Sequence, residues 1–315
     1  MATGIFITDT APQSLLWGRS LFRRAYADLA RRYPEAPPRV DWAFPEEIRP
    51  FARHFLTDMP EIRAQIPYGK TCPLDVAAYD RQYDTRVPAN VHTGLHRADH
   101  MAQAAGIPGA GALLPMARTR ARVLYSGWRA RRRRNRLARF TRAPGFQEEL
   151  SLYGEDLLFL PDPTPSDRYV GVHLPTGRSS SEDGVLAALQ AAAWPRKVAT
   201  LGVPQEGRVR VGEDFRSSDL TRVLDSVRAC SVVVAPGWGL LAHYAAALGR
   251  RTLAVWGQDP TLPVTHGAWI WGLAGGADWF EPRQDDIANW LQSALVAEGL
   301  STVAGDPTQR IFRND

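Results

Sequence analysis

Two hydrophobic periods alternate along the chain. Short apolar runs predict strands, and between them apolar positions recur every three to four residues, as on one helix face. Ile5–Thr8 is the first run. A loop, Asp9–Ser14, leads into a helix whose apolar positions are Leu15, Leu16, Leu21, Phe22, Ala25, Tyr26 and Leu29. Ser14 fits its N-cap and Pro34 its end. Arg39–Phe44 predicts a second strand, followed by a helix with Pro45 near its start. Residues 59–78 carry little periodic signal. Tyr83 to His92 predicts a strand ending at His92, and Leu95 onward a helix ending at Gly106.

The second half repeats the alternation more clearly. Strands are predicted at Tyr169–Leu174, Lys197–Gly202, Arg208–Val211, Ser231–Ala235 and Thr252–Trp256. Helices are predicted before Pro195, after Ser218 as N-cap, and from Leu240 to a stop at Gly249. Strand and helix alternating over short connections imply a parallel, doubly wound α/β sheet. Ligands of such sheets bind beyond the carboxyl ends of the strands. The loops to watch are therefore Pro175–Ser181, Pro236–Gly239 and Gly257–Thr261. The proline-rich stretch Leu160–Arg168 divides the chain, giving an N-terminal domain over 1–160 and a C-terminal domain over 161–315.

The bulk numbers fit this division. A chain of 315 residues is long for one core and suits two domains of roughly 150. With 44% apolar and 23% charged residues it has an ordinary globular composition. No apolar run reaches the length of a membrane span, and the N-terminus lacks a secretory signal pattern, so a cytoplasmic protein is expected. Cys72 and Cys230 stand in unrelated contexts and read as reduced thiols. A net charge of +5 favours anionic partners. Much of the positive charge sits in the Arg-rich segment Ala117–Phe140, which includes Arg131 and Arg132. Such a run is most often a solvated face. As a functional surface it would dock an anionic acceptor, either a phosphorylated glycolipid at a membrane or nucleic acid.

The strongest chemical signal is Ser231 to Pro260: an apolar strand, then Pro236-Gly237-Trp238-Gly239, then an alanine-rich helix containing His243. A helix N-terminus offers unpaired N–H groups and a partial positive charge. Glycine before it lets a phosphate come close to the backbone. His243, one turn in, can donate to the same anion. A tight strand-to-helix turn with Trp238 packed against a neighbour gives the same pattern without a ligand.

Ser217 to Pro263 resembles the donor-binding region of GT-B glycosyltransferases, and most of all the lipopolysaccharide heptosyltransferase-like family, family 9. The residues that carry the likeness are His243, Ala245, Ala246, Ala247, Leu248, Gly249, Trp256, Gly257 and Pro260, in order and spacing. The likeness extends loosely to Gly171–Gly177. Where the family has an Asp-Ser/Thr-Gly turn before the histidine helix, this chain has Gly237-Trp238-Gly239-Leu240.

The resemblance implies a GT-B fold, two Rossmann-like domains facing across a cleft, with acceptor in the first and nucleotide-sugar in the second. It implies an inverting, metal-independent sugar transfer with no cofactor beyond the donor. The family's base is an Asp in the first loop, and the nearest acid here is Asp9, whose other reading is an Asx cap. Gln258 and Asp259 fall in the family's polar loop and join the donor site. Pro175, Thr176, Gly177 and Arg178 follow the first strand of the second domain, where Arg178 can hold a diphosphate.

His92, His96 and His100 recur at intervals of four. Thr93-Gly94 separates the first from the helix, so no metal site is expected, and His92 and His96 are assigned to the acceptor side. Sugar class and acceptor stay open between glycan, glycolipid and nucleic acid, as does a GT-B-like protein without activity. Contact with the inner membrane is compatible with the basic segment.

Overall fold

The computed structural model describes residues 1–86, 101–102, 104–107, 160, 169–174, 186–187, 197–204, 210–236, 239–255 and 278–280. They fall into two compact units, one holding the described residues up to Leu160 and the other those from Tyr169.

In the first unit the strands are β1 (Ala2–Ile7), β2 (Pro38–Pro45), β3 (Ile62–Tyr68) and β4 (Arg81–Asp84). All pairs are parallel and the order is β3-β2-β1-β4. Helix α1 (Pro12–Arg32) joins β1 to β2, and a short 3-10 turn (Glu46–Ile48) leads into α2 (Arg49–Phe55). The helix predicted after Pro45 thus forms in two pieces. The predicted α1 face is buried at Leu15, Leu16, Leu21, Phe22, Ala25 and Leu29, together with Trp17. It packs on Phe6 and Trp42. The Phe22 and Trp42 rings stack with centroids 5.1 Å apart, and Phe6 meets both edge-on. Gly18 makes this possible: a Cβ there would lie 2.6 Å from Trp42.

The other face of the sheet carries Ile5, Ile7 and Ala43, covered by Leu74, Val76 and Tyr79 from the segment after β3. Asp41 is buried on that face. It accepts from Tyr79 Oη at 2.7 Å and from Arg63 Nε at 2.7 Å, and also pairs with Arg63 Nη2.

The second unit contains β5 (Tyr169–Val172), β6 (Val198–Thr200), β7 (Glu213–Asp214), β8 (Cys230–Pro236), β9 (Arg251–Val255) and β10 (Asp278–Phe280). These too pair in parallel, in the order β10-β9-β8-β5-β6-β7. Numbered within the unit this is 3-2-1-4-5-6, the doubly wound Rossmann order, and the first unit's 3-2-1-4 is its beginning. The expected α/β class with Rossmann-like parallel sheets therefore holds. Val232, Val233 and Val234 are fully buried, as a strand covered on both faces requires.

Helix α3 (Leu220–Arg228) precedes β8, and α4 (Leu240–Ala247) links β8 to β9. Gly249 ends α4 with φ +73°, and Arg250 N–H reaches back to the Ala245 carbonyl at 2.9 Å, closing the turn.

Three local expectations are corrected. Ser14 is not the cap of α1: the N-cap is Ala11, and Ser14 lies inside the first turn. The cap of α3 is Asp219 rather than Ser218, because its Oδ1 reaches the Thr221 N–H at 2.9 Å. The strand expected up to His92 is β4, which ends at Asp84. There Arg86 N–H turns back to the Asp84 carboxylate at 3.1 Å and takes the chain out of the ladder. Of the short strand predicted at Arg208–Val211, residues 208 and 209 lie outside the described residues, and the next strand is β7.

Candidate functional site

In a 3-2-1-4 sheet the connections leaving the first and fourth strands diverge, opening a crevice beyond their carboxyl ends. In the first unit this point lies between β1 and β4, and the chain leaving β1 is Thr8-Asp9. The main chain there is held from several sides. Thr8 N–H donates to the Ala43 carbonyl at 3.0 Å, and Tyr68 Oη to the Thr8 carbonyl at 2.8 Å. Thr85 donates twice to the Ile7 carbonyl, from N–H at 2.9 Å and from Oγ1 at 2.6 Å. Asp9 Oδ1 accepts from Ala11 N–H at 3.0 Å and from the Ser14 hydroxyl in a short contact. Asp9 thus forms the Asx turn that the sequence offered as one of its two readings, two residues past the end of β1.

Beside it, Asp84 and Arg86 form a bidentate pair, Nε to Oδ1 at 2.8 Å and Nη2 to Oδ2 at 2.5 Å. Burial pushes the Asp84 carboxyl up, but the Arg86 hydrogen bonds outweigh it and hold the group below its usual range. Burial raises Tyr68, and Arg86 partly opposes this. Aspartate, tyrosine and a paired arginine therefore converge on one sheet edge, a set that can bind hydroxyl groups and accept a proton.

In the second unit the switch point lies between β5 and β8. Gly171, in the middle of β5, has no room for a side chain: a Cβ would lie 2.6 Å from Leu201 and 2.7 Å from Cys230 Sγ. Just past β5, His173 N–H donates to the Val234 carbonyl at 2.8 Å, tying the strand's exit to β8. The imidazole Nδ1 lies 3.1 Å from the Leu201 carbonyl, over Gly202. A carbonyl only accepts, so Nδ1 carries the hydrogen. Gly202 has φ +109°, and a Cβ on it would lie 2.3 Å from Nδ1. The position is thus shaped for glycine by conformation and by the ring above it.

His243 lies in the first turn of α4, as expected, and its ring is buried. Its Nδ1 is 2.9 Å from the Gly239 carbonyl, so this nitrogen donates within its own turn. Gly239 is the residue before α4 and stands beside it.

The structure thus places Asp9 at the first switch point, and Gly239 and His243 at the second. Pro175, Thr176, Gly177, Arg178, Gly237, Trp238, Gln258 and Asp259 lie outside the described residues, as do His92, His96, Arg131 and Arg132. Sequence reasoning did not single out Ser14 as a partner of Asp9, nor His173, Tyr68 or the Asp84–Arg86 pair. For His173 a signal existed: it is a histidine within the strand predicted at Tyr169–Leu174, which in the structure ends at Val172, one residue before His173. Among the described residues no group of histidine, cysteine and acidic side chains could hold a metal, and no helix is long and apolar enough to cross a membrane.

No family model matches the chain, and no curated protein matches it. Among solved structures it is similar to a glycosyl transferase family 9 protein from Veillonella parvula, with 10% identity, TM-score 0.48, and coverage of 96% of this chain and 94% of that one. It is also similar to the E. coli heptosyltransferase WaaC with ADP, with 15% identity, TM-score 0.45, and coverage of 95% and 99%. A third is S. aureus MnaA with UDP, with 10% identity, TM-score 0.40, and coverage of 98% and 93%. At these identities and scores the likenesses assign neither family nor activity to the chain.

Proposed function

We propose that the protein is a glycosyltransferase of the GT-B type, moving a sugar from a nucleotide-sugar to an acceptor hydroxyl. One observation carries this reading. The stretch that resembles family 9 occupies α3, β8, α4 and β9, so its histidine helix begins at the switch point of a 3-2-1-4-5-6 sheet. That is where such a sheet binds a nucleotide, and a likeness arising by chance would have no reason to fall there. A second Rossmann-like sheet with a carboxylate at its own switch point supports the same reading.

In the reaction we infer, the acceptor oxygen attacks the anomeric carbon and displaces the nucleoside diphosphate, so the configuration inverts. Asp9 takes the proton from the attacking hydroxyl. Charge developing on the leaving diphosphate is stabilised by the N–H groups at the start of α4 and by the Arg178 guanidinium, without a metal ion. The acceptor we propose is an anionic glycan or glycolipid, consistent with the net charge of +5 and with contact at the inner face of a membrane. No observation on the described residues favours nucleic acid as acceptor or an inactive scaffold.

The test is calorimetric titration with ADP, UDP, GDP and CDP, followed by assay of diphosphate release from the matching nucleotide-sugars. Saturable binding of one nucleotide, weakened at least tenfold by His243→Ala, is expected. Failure to bind any of the four sinks the reading.

A further inference from the structure

We propose that Ser14 is the residue that positions Asp9 for proton abstraction, an inference that rests on the reading of Asp9 as the base. Ser14 is 1% exposed, and its hydroxyl is spent on Asp9 Oδ1. Helix capping does not account for this. The cap of α1 is Ala11 and makes no side-chain bond to the helix, and the N–H that Asp9 accepts is that of Ala11 itself.

The surrounding bonds give the serine another purpose. The chain before Asp9 is fixed through the Ile7 and Thr8 carbonyls, by Thr85 and Tyr68, and Trp42 Nε1 lies 3.4 Å from Thr8 Oγ1. The chain after it is fixed as α1 begins, with Ser14 N–H on the Ala11 carbonyl at 2.8 Å. With the backbone held on both sides, the freedom left to Asp9 is rotation of its carboxylate. Two donors on Oδ1, the Ala11 N–H and the Ser14 hydroxyl, act against that rotation. A base held in line acts on the rate of the chemical step and leaves donor affinity alone.

A hydrogen bond to a charged group corresponds to roughly a 10- to 100-fold effect. The experiment compares wild type, Asp9→Asn, Ser14→Ala, Ser14→Thr and the Asp9→Asn/Ser14→Ala double variant. It measures diphosphate release from UDP-, GDP- and ADP-linked hexoses, with nucleoside diphosphate affinity and thermal melting as controls. Ser14→Ala should lower kcat by about 10- to 100-fold with donor KM and nucleotide affinity unchanged. Ser14→Thr keeps the hydroxyl and should recover most of the rate. The double variant should be no slower than Asp9→Asn.

If Asp9→Asn is slow and Ser14→Ala runs at the wild-type rate, the inference about Ser14 fails while the base stands. A loss from Ser14→Ala that repeats in full on the Asp9→Asn background, or that appears as weaker donor binding, also overturns it. If Asp9→Asn runs at the wild-type rate, or the wild type releases no diphosphate, the base reading falls and takes Ser14 with it.

Discussion

Replacing Gly18 by Ala sets two effects of known size against each other. Gly18 is in the interior of α1, where glycine costs about 1 kcal/mol relative to alanine, so helix propensity alone predicts stabilisation by that amount. Against this stands the added methyl. It would lie 2.6 and 2.9 Å from two atoms of the Trp42 ring and 3.2 Å from Phe6. Relief by a ring movement is blocked, because Trp42 is fully buried, stacked on Phe22 at 5.1 Å and set edge-on against Phe6 at 4.9 Å. Overfilling a core of this kind costs about 1–3 kcal/mol, and two contacts below 3 Å argue for the upper half of that range. The net expectation is a loss of about 1–2 kcal/mol. Equilibrium urea unfolding by circular dichroism measures it, as a lower midpoint at unchanged slope. Ala27→Gly, at an exposed position of the same helix, gives the propensity effect by itself. If Gly18→Ala raises the midpoint by as much as Ala27→Gly lowers it, the tight packing of α1 on Trp42 is refuted.

Three further outcomes are expected. Burial and the hydrogen bond to Asp41 push the Tyr79 phenol up to about 12 from 10, so its stabilising contribution is complete below pH 10 and is lost as pH rises towards 12. Urea midpoints should fall across that window, and less steeply in Asp41→Asn; equal slopes would detach Tyr79 from Asp41. Gly202→Ala meets both a left-handed φ and the His173 ring, and should cost about 2 kcal/mol or more. It should also break the Nδ1 bond to Leu201, seen as a changed imidazole nitrogen shift; an unchanged spectrum would contradict the packing of the ring on Gly202. Cys72 is exposed, whereas Cys230 is buried and its thiol is pushed up to about 12 by that burial. A disulfide reagent should therefore modify Cys72 rapidly in the native protein and Cys230 only after unfolding. Rapid modification of both would refute the burial of β8.

What the sequence made legible follows from where the information lies. The α1 face and the valine run of β8 are local, since burial repeats along the element itself and marks the residues directly. Strand β3 offers no such mark. It lies at the sheet edge, its residues are partly or fully exposed, and Pro67 interrupts it. The ends of β4 and β7 are set by a shared device that no period reveals. In Asp84-Thr85-Arg86 and in Asp214-Phe215-Arg216, the arginine N–H and guanidinium both return to the aspartate and turn the chain away. Ser14 was misread for a related reason. A hydroxyl at the start of a helix gives one sequence cue, whether it caps the helix or holds an acid five residues back.

The strand order itself shows why a site can be half legible. For β4 to pair with β1, the chain must cross from the β3 edge over β2 and β1 to the opposite edge. A helix usually makes such a crossing and announces itself by its period. Here residues 69–80 cross without helix, laying Leu74, Val76 and Tyr79 on Ile5, Ile7 and Ala43. Their polar anchor is Asp41, buried in β2, where a strand reading alone would expect an apolar residue. Crossover and anchor are far apart in sequence and show no common pattern, so residues 59–78 looked featureless. Yet this crossing brings Asp84, Thr85 and Arg86 to the end of β1 and creates the switch point at which Asp9 stands. Asp9 is reached through the family resemblance, as the acid nearest the first loop. Its partners depended on a topology that only the packing of the 69–80 segment specifies.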